Sequence, residues 1–268
     1  MWTAGSRLRR IGIFAATPWE RHAVQQAFRV DTIQRDAGYR CITGRRGHCR
    51  VVLIQTGVGP TRAGAICRAA FHEQSFDVAI SSGLACALAA SSIGDLFVGT
   101  DVIAATCGGA STSDAVTCDH DFAAMAMRAA RAASLPVQAG RFVSVPRILW
   151  RGEQKRRVAT ETGAIALDME SAAIGAVAGE YRIPFVVIRA ASDLLDEDLP
   201  LDFNLFLTRT DWLKGAWACV SRPTSLWGLR RMRTQMRTAS QRLTMVFQRL
   251  FDEVARAEAP ELRKQVVT

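Results

Sequence analysis

Two acidic residues, Glu170 and Asp193, each follow a short apolar run of the kind that forms buried strands. Residues 165–167 lead to Glu170 and residues 184–188 lead to Asp193, with a stretch rich in small residues between the two runs. Because the carboxyl ends of parallel strands meet at the sheet edge where ligands bind, we expect the two side chains to lie close together. A carboxylate beside a carboxylic acid is suited to general acid–base chemistry.

A third acidic residue, Glu20, stands at a predicted junction between a strand and a helix. Residues 11–16 form an apolar run, after which Thr17 is a suitable helix cap and Pro18 suits a first helical turn. Glu20 would then lie at the same kind of sheet edge as Glu170. A purely structural role is also open, since the positive end of the helix dipole favours a carboxylate in the first turn.

Strand patterns and helix patterns alternate along most of the chain. Further strands are predicted at residues 51–54, 77–83, 96–98 and 137–145, and helices after Pro60, at 122–134 and at 151–162. The last of these helices is so rich in charge that we interpret it as a surface helix. This alternation predicts an α/β fold, with a mostly parallel sheet that carries helices on both faces.

Two loops of this predicted fold are candidates for contact with a ligand. Residues 57–62 contain Gly57 and Gly59, which permit close approach of a backbone, although a Gly-x-Gly is more often just a tight turn. Residues 107–121 are polar and rich in Gly, Ser and Thr, which predicts a loop near the site.

The composition indicates a globular protein of a reducing compartment. Of the 268 residues, 49% are hydrophobic and 22% charged, and the seven cysteines form no Cys-x-x-Cys pair. Neither a disulfide framework nor a metal site is predicted, and a cytoplasmic location fits best. No apolar run reaches roughly 18 residues, so we predict no transmembrane helix. The pattern of the first ten residues is too weak to indicate a signal peptide.

The C-terminal part differs in character from the rest. Residues 203–220 predict a helix, and beyond Pro223 apolar residues recur at steps of three and four from Leu226 to Val254, opposite a face rich in arginine. Such a helix can dock on its own domain or on a partner subunit, or lie on an anionic membrane surface. The net charge of +9 does not predict nucleic-acid binding, since the basic residues are not interleaved with aromatic ones.

These motifs resemble the purine/uridine phosphorylase superfamily, and within it the methylthioadenosine/S-adenosylhomocysteine nucleosidases most closely. The similarity runs over roughly residues 11–206, and the segments that carry it are 167–172, 184–193, 12–20, 56–59 and 94–95. It implies a three-layer α/β/α phosphorylase-like domain at residues 1–206, with a mixed, mostly parallel central sheet. A C-terminal helical extension at 207–268 follows, and its pattern resembles the tail of hopanoid-associated phosphorylases.

The resemblance implies an enzyme that cleaves the N-glycosidic bond of purine nucleosides without a cofactor or metal. The substrates would be 5′-substituted adenosines: methylthioadenosine, S-adenosylhomocysteine or an adenosyl lipid such as adenosylhopane. Asp193 matches the acid that protonates the purine, Glu170 the carboxylate that holds the ribose hydroxyls, and Glu20 the base that activates water. We expect Arg189 and Ser192 to orient Asp193. The other predicted substrate-binding residues are Met169, Asp168, Phe203, Ile148, Val58, Gly83 and Leu84.

Three departures from the family pattern bear on the attacking group. Ser81 and Leu84 stand where phosphorolytic relatives carry a phosphate-binding Arg and Ser, and Cys86 replaces a small Gly. Water is therefore the predicted nucleophile. Phosphorolysis is the alternative, with phosphate bound by one of the candidate arginines Arg62, Arg147, Arg45 or Arg46. A catalytically weak nucleoside-binding protein is a third interpretation, and the family also implies a homodimer.

Overall fold

The computed structural model describes residues 9–36, 38–106, 109–110, 115–206 and 223–265. The strands are β1 (Arg9–Ala15), β2 (Arg29–Asp36), β3 (Tyr39–Arg46), β4 (Cys49–Gln55), β5 (Val78–Ala87), β6 (Leu96–Thr106), β7 (Gly109–Ala110), β8 (Val116–Thr117), β9 (Val137–Ser144), β10 (Ala166–Asp168) and β11 (Phe185–Asp193). The helices are α1 (Pro18–Gln25), α2 (Pro60–Glu73), α3 (His120–Ala132), α4 (Gly152–Thr162), α5 (Ser171–Glu180) and α6 (Pro223–Gln265), with a 3-10 turn at Phe203–Phe206.

The strands form one mixed sheet in the order β10-β9-β6-β11-β5-β1-β4-β3-β2, to which β7 and β8 add at β6. Its centre is parallel, because β5 pairs in parallel with both β1 and β11. At one end β10 pairs with β9 and also with β5, so this part of the sheet closes on itself. The predicted mixed, mostly parallel central sheet is confirmed.

The direction of β10 corrects the argument by which we expected Glu170 and Asp193 at one edge of parallel strands. β10 runs antiparallel to β5, with Leu167 opposite Cys86, whereas β11 runs parallel to β5. The carboxyl ends of β10 and β11 therefore point in opposite directions. Glu170, which follows β10, lies next to Arg189, with its Oε2 3.6 Å from a guanidinium nitrogen.

Helices cover both faces of the sheet and bury two apolar layers. On one face the core is shared by β1, β5, α1, α3 and α6, and on the other by β1, α2 and α5. From α6 the fully or nearly fully buried residues are Ala239, Leu243, Val246, Phe247, Leu250, Phe251 and Val254. Burial of each large side chain contributes about 1.5–3 kcal/mol. The part of α6 from Ala239 to Val254 therefore docks on its own domain, which is one of the alternatives that the apolar stripe left open.

Several local predictions are changed by the structure. The hairpin of β2 and β3 was not predicted, and α4 is not a pure surface helix, because Lys155 is fully buried. Only a 3-10 turn is seen where residues 203–220 predicted a helix, and residues 207–222 lie outside the described chain. Residues 107–108 and 111–114 of the predicted polar loop also lie outside the described chain, so the prediction of this loop is tested only in part. Within the described residues, no helix has both the length and the hydropathy to span a bilayer.

Candidate active site

Arg189 on β11 lies at the centre of a buried cluster of charges. Its side chain is 2% exposed, and its Nε lies 2.7 Å from a carboxylate oxygen of Asp168. Its two terminal nitrogens lie 3.6 Å from oxygens of Glu20 and Glu170. Burial lowers the pKa of Arg189, but these three carboxylates raise it by more, so the guanidinium is charged. Two of the three acidic residues predicted to be catalytic are thus brought together on one cation.

Glu20 faces both its own helix and the site. Its Oε2 accepts hydrogen bonds from the backbone N–H and the hydroxyl of Thr17. The bond from the Thr17 N–H, together with the bond from the backbone N–H of Glu20 to Oγ1 of Thr17, forms the capping box of α1. Oε1 of Glu20 accepts from the backbone N–H of Leu84 at 2.8 Å. The structural role that we considered for Glu20 is therefore present. These three donors occupy three of the roughly four acceptor positions of a carboxylate.

Gly83 makes this approach of Glu20 to β5 possible. A Cβ atom at position 83 would overlap Oε1 of Glu20 and would lie 2.8 Å from a guanidinium nitrogen of Arg189. Any side chain there would displace the carboxylate. Gly83 and Leu84 therefore both fix Glu20, one by the absence of a side chain and the other by its backbone N–H.

Glu170 stands just before α5 and is 4% exposed. Its Oε1 accepts a hydrogen bond from the backbone N–H of Gly59 at 2.9 Å, and its Oε2 faces Arg189. Burial raises the pKa of Glu170 to about 7, against the opposing effect of Arg189 and with added repulsion from Asp168 and Glu20. The Gly-x-Gly loop thus contacts the site through its backbone, as the sequence suggested.

This shift of the Glu170 pKa predicts a pH-dependent stability. Glu170 is protonated in both states below about 4.5 and ionised in both above about 7, so the free energy of unfolding falls as the pH rises between these values. Glu170→Gln removes this loss of stability, because glutamine does not ionise, and the gain in the free energy of unfolding above pH 7 is at most about 3 kcal/mol. We expect the variant to melt at a higher temperature than wild type at pH 8 and at a similar temperature at pH 4.5. The control Glu180→Gln, at an exposed ion pair, should show no such pH-dependent gain.

Asp168 is occupied entirely by the protein. Its carboxylate accepts from the hydroxyls of Ser144 and Ser171 and from the backbone N–H groups of Glu170 and Ser171, in addition to its ion pair with Arg189. We predicted a substrate contact for this residue. The geometry instead assigns it the positioning of Arg189 and of the chain at the start of α5.

Asp193 has a partner that we did not predict. Its Oδ2 accepts a hydrogen bond from Nζ of Lys155 at 2.7 Å, and its Oδ1 accepts from the hydroxyl of Ser192 at 3.0 Å. The predicted contact with Ser192 is present. The predicted contact with Arg189 is replaced by Lys155, because the ion pairs of Arg189 are with Asp168, Glu20 and Glu170.

Lys155 could have been found from the helical period of α4. The run Lys155-Arg156-Arg157 suggests a solvent-exposed face, and this led to our interpretation of a surface helix. Gly152 and Thr162 are buried together with Lys155, at the three- and seven-residue spacing of one helix face. Lys155 lies on that inner face, whereas its two basic neighbours lie outside it.

The predicted pocket residues lie on loops close to these elements. The side-chain amide of Asn204 makes hydrogen bonds to both the N–H and the carbonyl oxygen of Ile148, which ties this loop to the turn that carries Phe203. Met169 is buried between Asp168 and Glu170, and Val58 is 38% exposed in the loop before α2.

An apolar groove of about 480 Å³ adjoins Glu20. It is lined by Thr17, Pro18, Trp19, Phe203, Leu229, Met232, Arg233 and Met236. The hydroxyl of Thr17 is bonded to Glu20, so the groove begins next to the charged cluster. One of its walls is the first half of α6, where Trp227 is 76% exposed and Arg230, Arg231, Arg233 and Arg237 face solvent.

The candidate phosphate ligands are mostly engaged elsewhere. Arg45 pairs with Asp31, and Arg46 pairs with Asp252. Ser81 is buried, and its hydroxyl is bonded to Ser171 and Arg189. Arg62 lies against Gly57. The charges around Arg189 are three carboxylates against one guanidinium, a balance that opposes the binding of an anion.

Comparison with known proteins decides the family. Residues 10–214 match the model of the phosphorylase superfamily, which is more than half of the chain. The chain belongs to the phosphorylase superfamily. The predicted family, the predicted fold and the prediction of an enzyme are thereby confirmed.

Curated relatives of this superfamily member include bacterial nucleosidases. It is 26% identical over 210 residues to the 5′-methylthioadenosine/S-adenosylhomocysteine nucleosidase of Haemophilus ducreyi, a match that covers 74% of this chain and 90% of the relative. It is 28% identical over 178 residues to the nucleosidase of the same name from Staphylococcus epidermidis. This match covers 62% of this chain and 78% of the relative.

Solved structures of the superfamily share the fold. The 5′-methylthioadenosine/S-adenosylhomocysteine nucleosidase of Neisseria meningitidis, in complex with methylthio-immucillin-A, superposes with a TM-score of 0.69 at 20% identity, over 90% of this chain and 99% of that one. The futalosine hydrolase of Helicobacter pylori superposes with a TM-score of 0.66 at 21% identity, over 85% of this chain and 98% of that one. At this level of identity the two structures support the fold and no particular substrate.

Proposed function

We propose that this protein hydrolyses the N-glycosidic bond of 5′-substituted adenosines and releases adenine. The observation that carries the proposal is the buried cluster in which Glu20 and Glu170 meet on Arg189, on the strand that ends at Asp193. The names of the curated relatives point to the same reaction. In it, the bond between C1′ and N9 breaks with its electron pair going to the purine, and water adds to C1′.

Glu20 is proposed to take a proton from the attacking water. Its two oxygens are held by Thr17 and Leu84, so the carboxylate is fixed before the substrate arrives. The remaining acceptor position is available to a water molecule, and a base in a fixed position avoids reorganisation during the reaction. The guanidinium of Arg189 lies 3.6 Å from Oε1 of this carboxylate.

Glu170 is proposed to bind the ribose hydroxyls and to face the positive charge that develops on the sugar. An oxocarbenium-like transition state is stabilised by carboxylates, and three of them surround Arg189. The N–H of Gly59 orients Glu170, since it occupies one oxygen. Arg189 is proposed to hold the two carboxylates at a set separation and not to contact the substrate itself.

Asp193 is proposed to give a proton to N7 of the departing purine. Protonation makes adenine a neutral leaving group in place of an anion, and such assistance contributes about 10²- to 10⁴-fold in rate. Oδ2 accepts a hydrogen bond from Lys155 and Oδ1 accepts one from the hydroxyl of Ser192, and Oδ1 is the oxygen proposed to give the proton. We propose Phe203, Ile148 and Val58 as apolar walls of the pocket for the base and the 5′-substituent, with Met169 under the sugar.

The apolar groove supports a substrate with an apolar 5′-substituent. It begins at Thr17 and Trp19, beside Glu20, and is walled by Phe203 and the apolar side of α6. A methylthio group or the chain of an adenosyl lipid suits this lining better than the charged end of S-adenosylhomocysteine does. The homodimer, the cytoplasmic location and contact of α6 with a membrane surface stay predictions.

One assay tests the reaction and the substrate together. Purified protein is incubated with methylthioadenosine, S-adenosylhomocysteine and an adenosyl lipid, each with and without inorganic phosphate, and free adenine is measured. We expect release that does not depend on phosphate. A strict requirement for phosphate would indicate phosphorolysis, and no release from any substrate would indicate a nucleoside-binding protein.

A further inference from the structure

Lys155 is a fully buried cation beside the proposed acid. Its ammonium donates hydrogen bonds to Oδ2 of Asp193 at 2.7 Å and to the backbone carbonyl oxygens of Leu194 at 3.1 Å and Glu197 at 2.7 Å. These bonds use all three N–H groups of an ammonium. Burial lowers the pKa of Lys155, but the charge and hydrogen bond of Asp193, together with the nearby Cys86 and Glu197, raise it above its ordinary value, so the lysine is charged at neutral pH.

The other groups that face Asp193 are neutral. The thiol of Cys86 on β5 has its pKa raised, first by burial and then by the charge of Asp193, so it stays protonated. The hydroxyl of Ser192 is a neutral donor. The carboxylate of Glu197 turns away toward α6, where it pairs with Arg231 and accepts from Gln235. The described part of the chain therefore offers Asp193 a single contacting cation, which comes from α4.

We propose that Lys155 is a positioning residue for the general acid, and that it fixes Oδ2 of Asp193 inside the protein so that Oδ1 faces the purine. The inference rests on the proposed function, because it assigns a role relative to Asp193 as the acid. An ammonium has no lone pair, so the oxygen that it contacts cannot direct a proton toward it. The acidic proton is confined to the other oxygen, on the side of Ser192.

The same lysine fixes the chain that follows Asp193. By binding the carbonyl oxygens of Leu194 and Glu197 it closes the turn immediately after β11. The carboxylate of Glu197 fastens this turn to α6. The position of the acid is thus determined from α4 on one side, while α6 holds the turn from the other. A misplacement of about 1 Å in a catalytic group is enough to reduce a rate about 100-fold.

A double-mutant cycle tests whether Lys155 acts through Asp193. We expect Lys155→Met, which keeps the length of the side chain, to lower kcat for adenine release about 10- to 100-fold while KM changes by less than about threefold. In the Asp193→Asn background the same substitution should change kcat by less than about twofold, because there is no acid left to position. Arg156→Met is the matched control, since it removes an exposed charge from the next position of α4. It should leave both constants unchanged.

Two results would overturn the inference while leaving the proposed function intact. One is an equal loss of kcat from Lys155→Met in both backgrounds, which is the behaviour of a purely structural residue. The other is a Lys155→Met protein with the same kcat as the Arg156→Met control. If Lys155→Met does not fold, Lys155→Gln takes its place in the cycle, and failure of both to fold beside a folded Arg156→Met would also count against positioning. Absence of adenine release by wild type would instead remove the proposed function, and with it the inference.

Discussion

Asp193→Asn is expected to lower kcat for adenine release by about 10²- to 10⁴-fold, the usual contribution of a general acid. The amide has nearly the shape of the carboxyl group but no acidic proton to give to the departing purine. KM should change by less than about threefold, since the acid acts mainly in the transition state. The measurement is a steady-state determination of kcat and KM with the best substrate of the adenine assay.

The stability of this variant has to be measured alongside its rate. The substitution of Asp193 leaves the buried ammonium of Lys155 without its counter-charge, and removal of one partner from a buried pair typically costs about 3–5 kcal/mol. Rates should therefore be compared well below the melting temperature of the variant. The control is Asp196→Asn, in the adjoining turn, where the carboxylate is 74% exposed and pairs with Arg156. Full activity of a folded Asp193→Asn variant would exclude this residue as the acid.

Glu20→Gln is expected to lower kcat by a similar factor of about 10²- to 10⁴-fold, because an amide cannot take a proton from water. The substitution also affects the fold locally. A glutamine offers one acceptor oxygen, so it cannot accept from both Thr17 and Leu84 on opposite sides, and one buried N–H loses its partner at a cost of about 1–3 kcal/mol. The measurements are kcat and the melting temperature.

The matched control for Glu20 is Glu180→Gln at the end of α5. Glu180 forms a half-exposed ion pair with Arg68, so the same chemical change there should leave kcat unchanged and lower the melting temperature little. A Glu20→Gln protein with wild-type kcat and a lowered melting temperature would reduce Glu20 to a helix cap. Water would then have to be activated by another group.

Much of the fold was predictable, because apolar runs and helix caps are local signals. The strand at residues 11–16 and the helix that Thr17 caps were both identified from a few neighbouring residues, and α6 from its apolar stripe. The hairpin of β2 and β3 was missed. β2 carries Arg29, Asp31, Arg35 and Asp36 with few apolar residues, because it is the exposed edge of the sheet and buries little.

The site was predictable in its residues but not in its pairings. The motif around Glu170 and the end of β11 marked the acidic groups, yet sequence order does not tell that β10 runs against β11. The argument that placed Glu170 near Asp193 from a shared parallel edge is therefore wrong, and we also paired Arg189 with the acid. In the structure Arg189 pairs with the carboxylates of Glu20 and Glu170, and Lys155 pairs with Asp193. A buried lysine looks like a surface one until its helix is docked.

The closure of β10 onto β5 has a consequence for how activity arises during folding. The groups around Arg189 come from the start of α1, the loop before α2, β5 and the end of β10, which are far apart in the chain and meet only after these strands have paired. Such non-local pairings form at a high entropic cost and therefore late. We expect no partly assembled intermediate to turn over substrate, so recovery of catalysis should report completion of the native state.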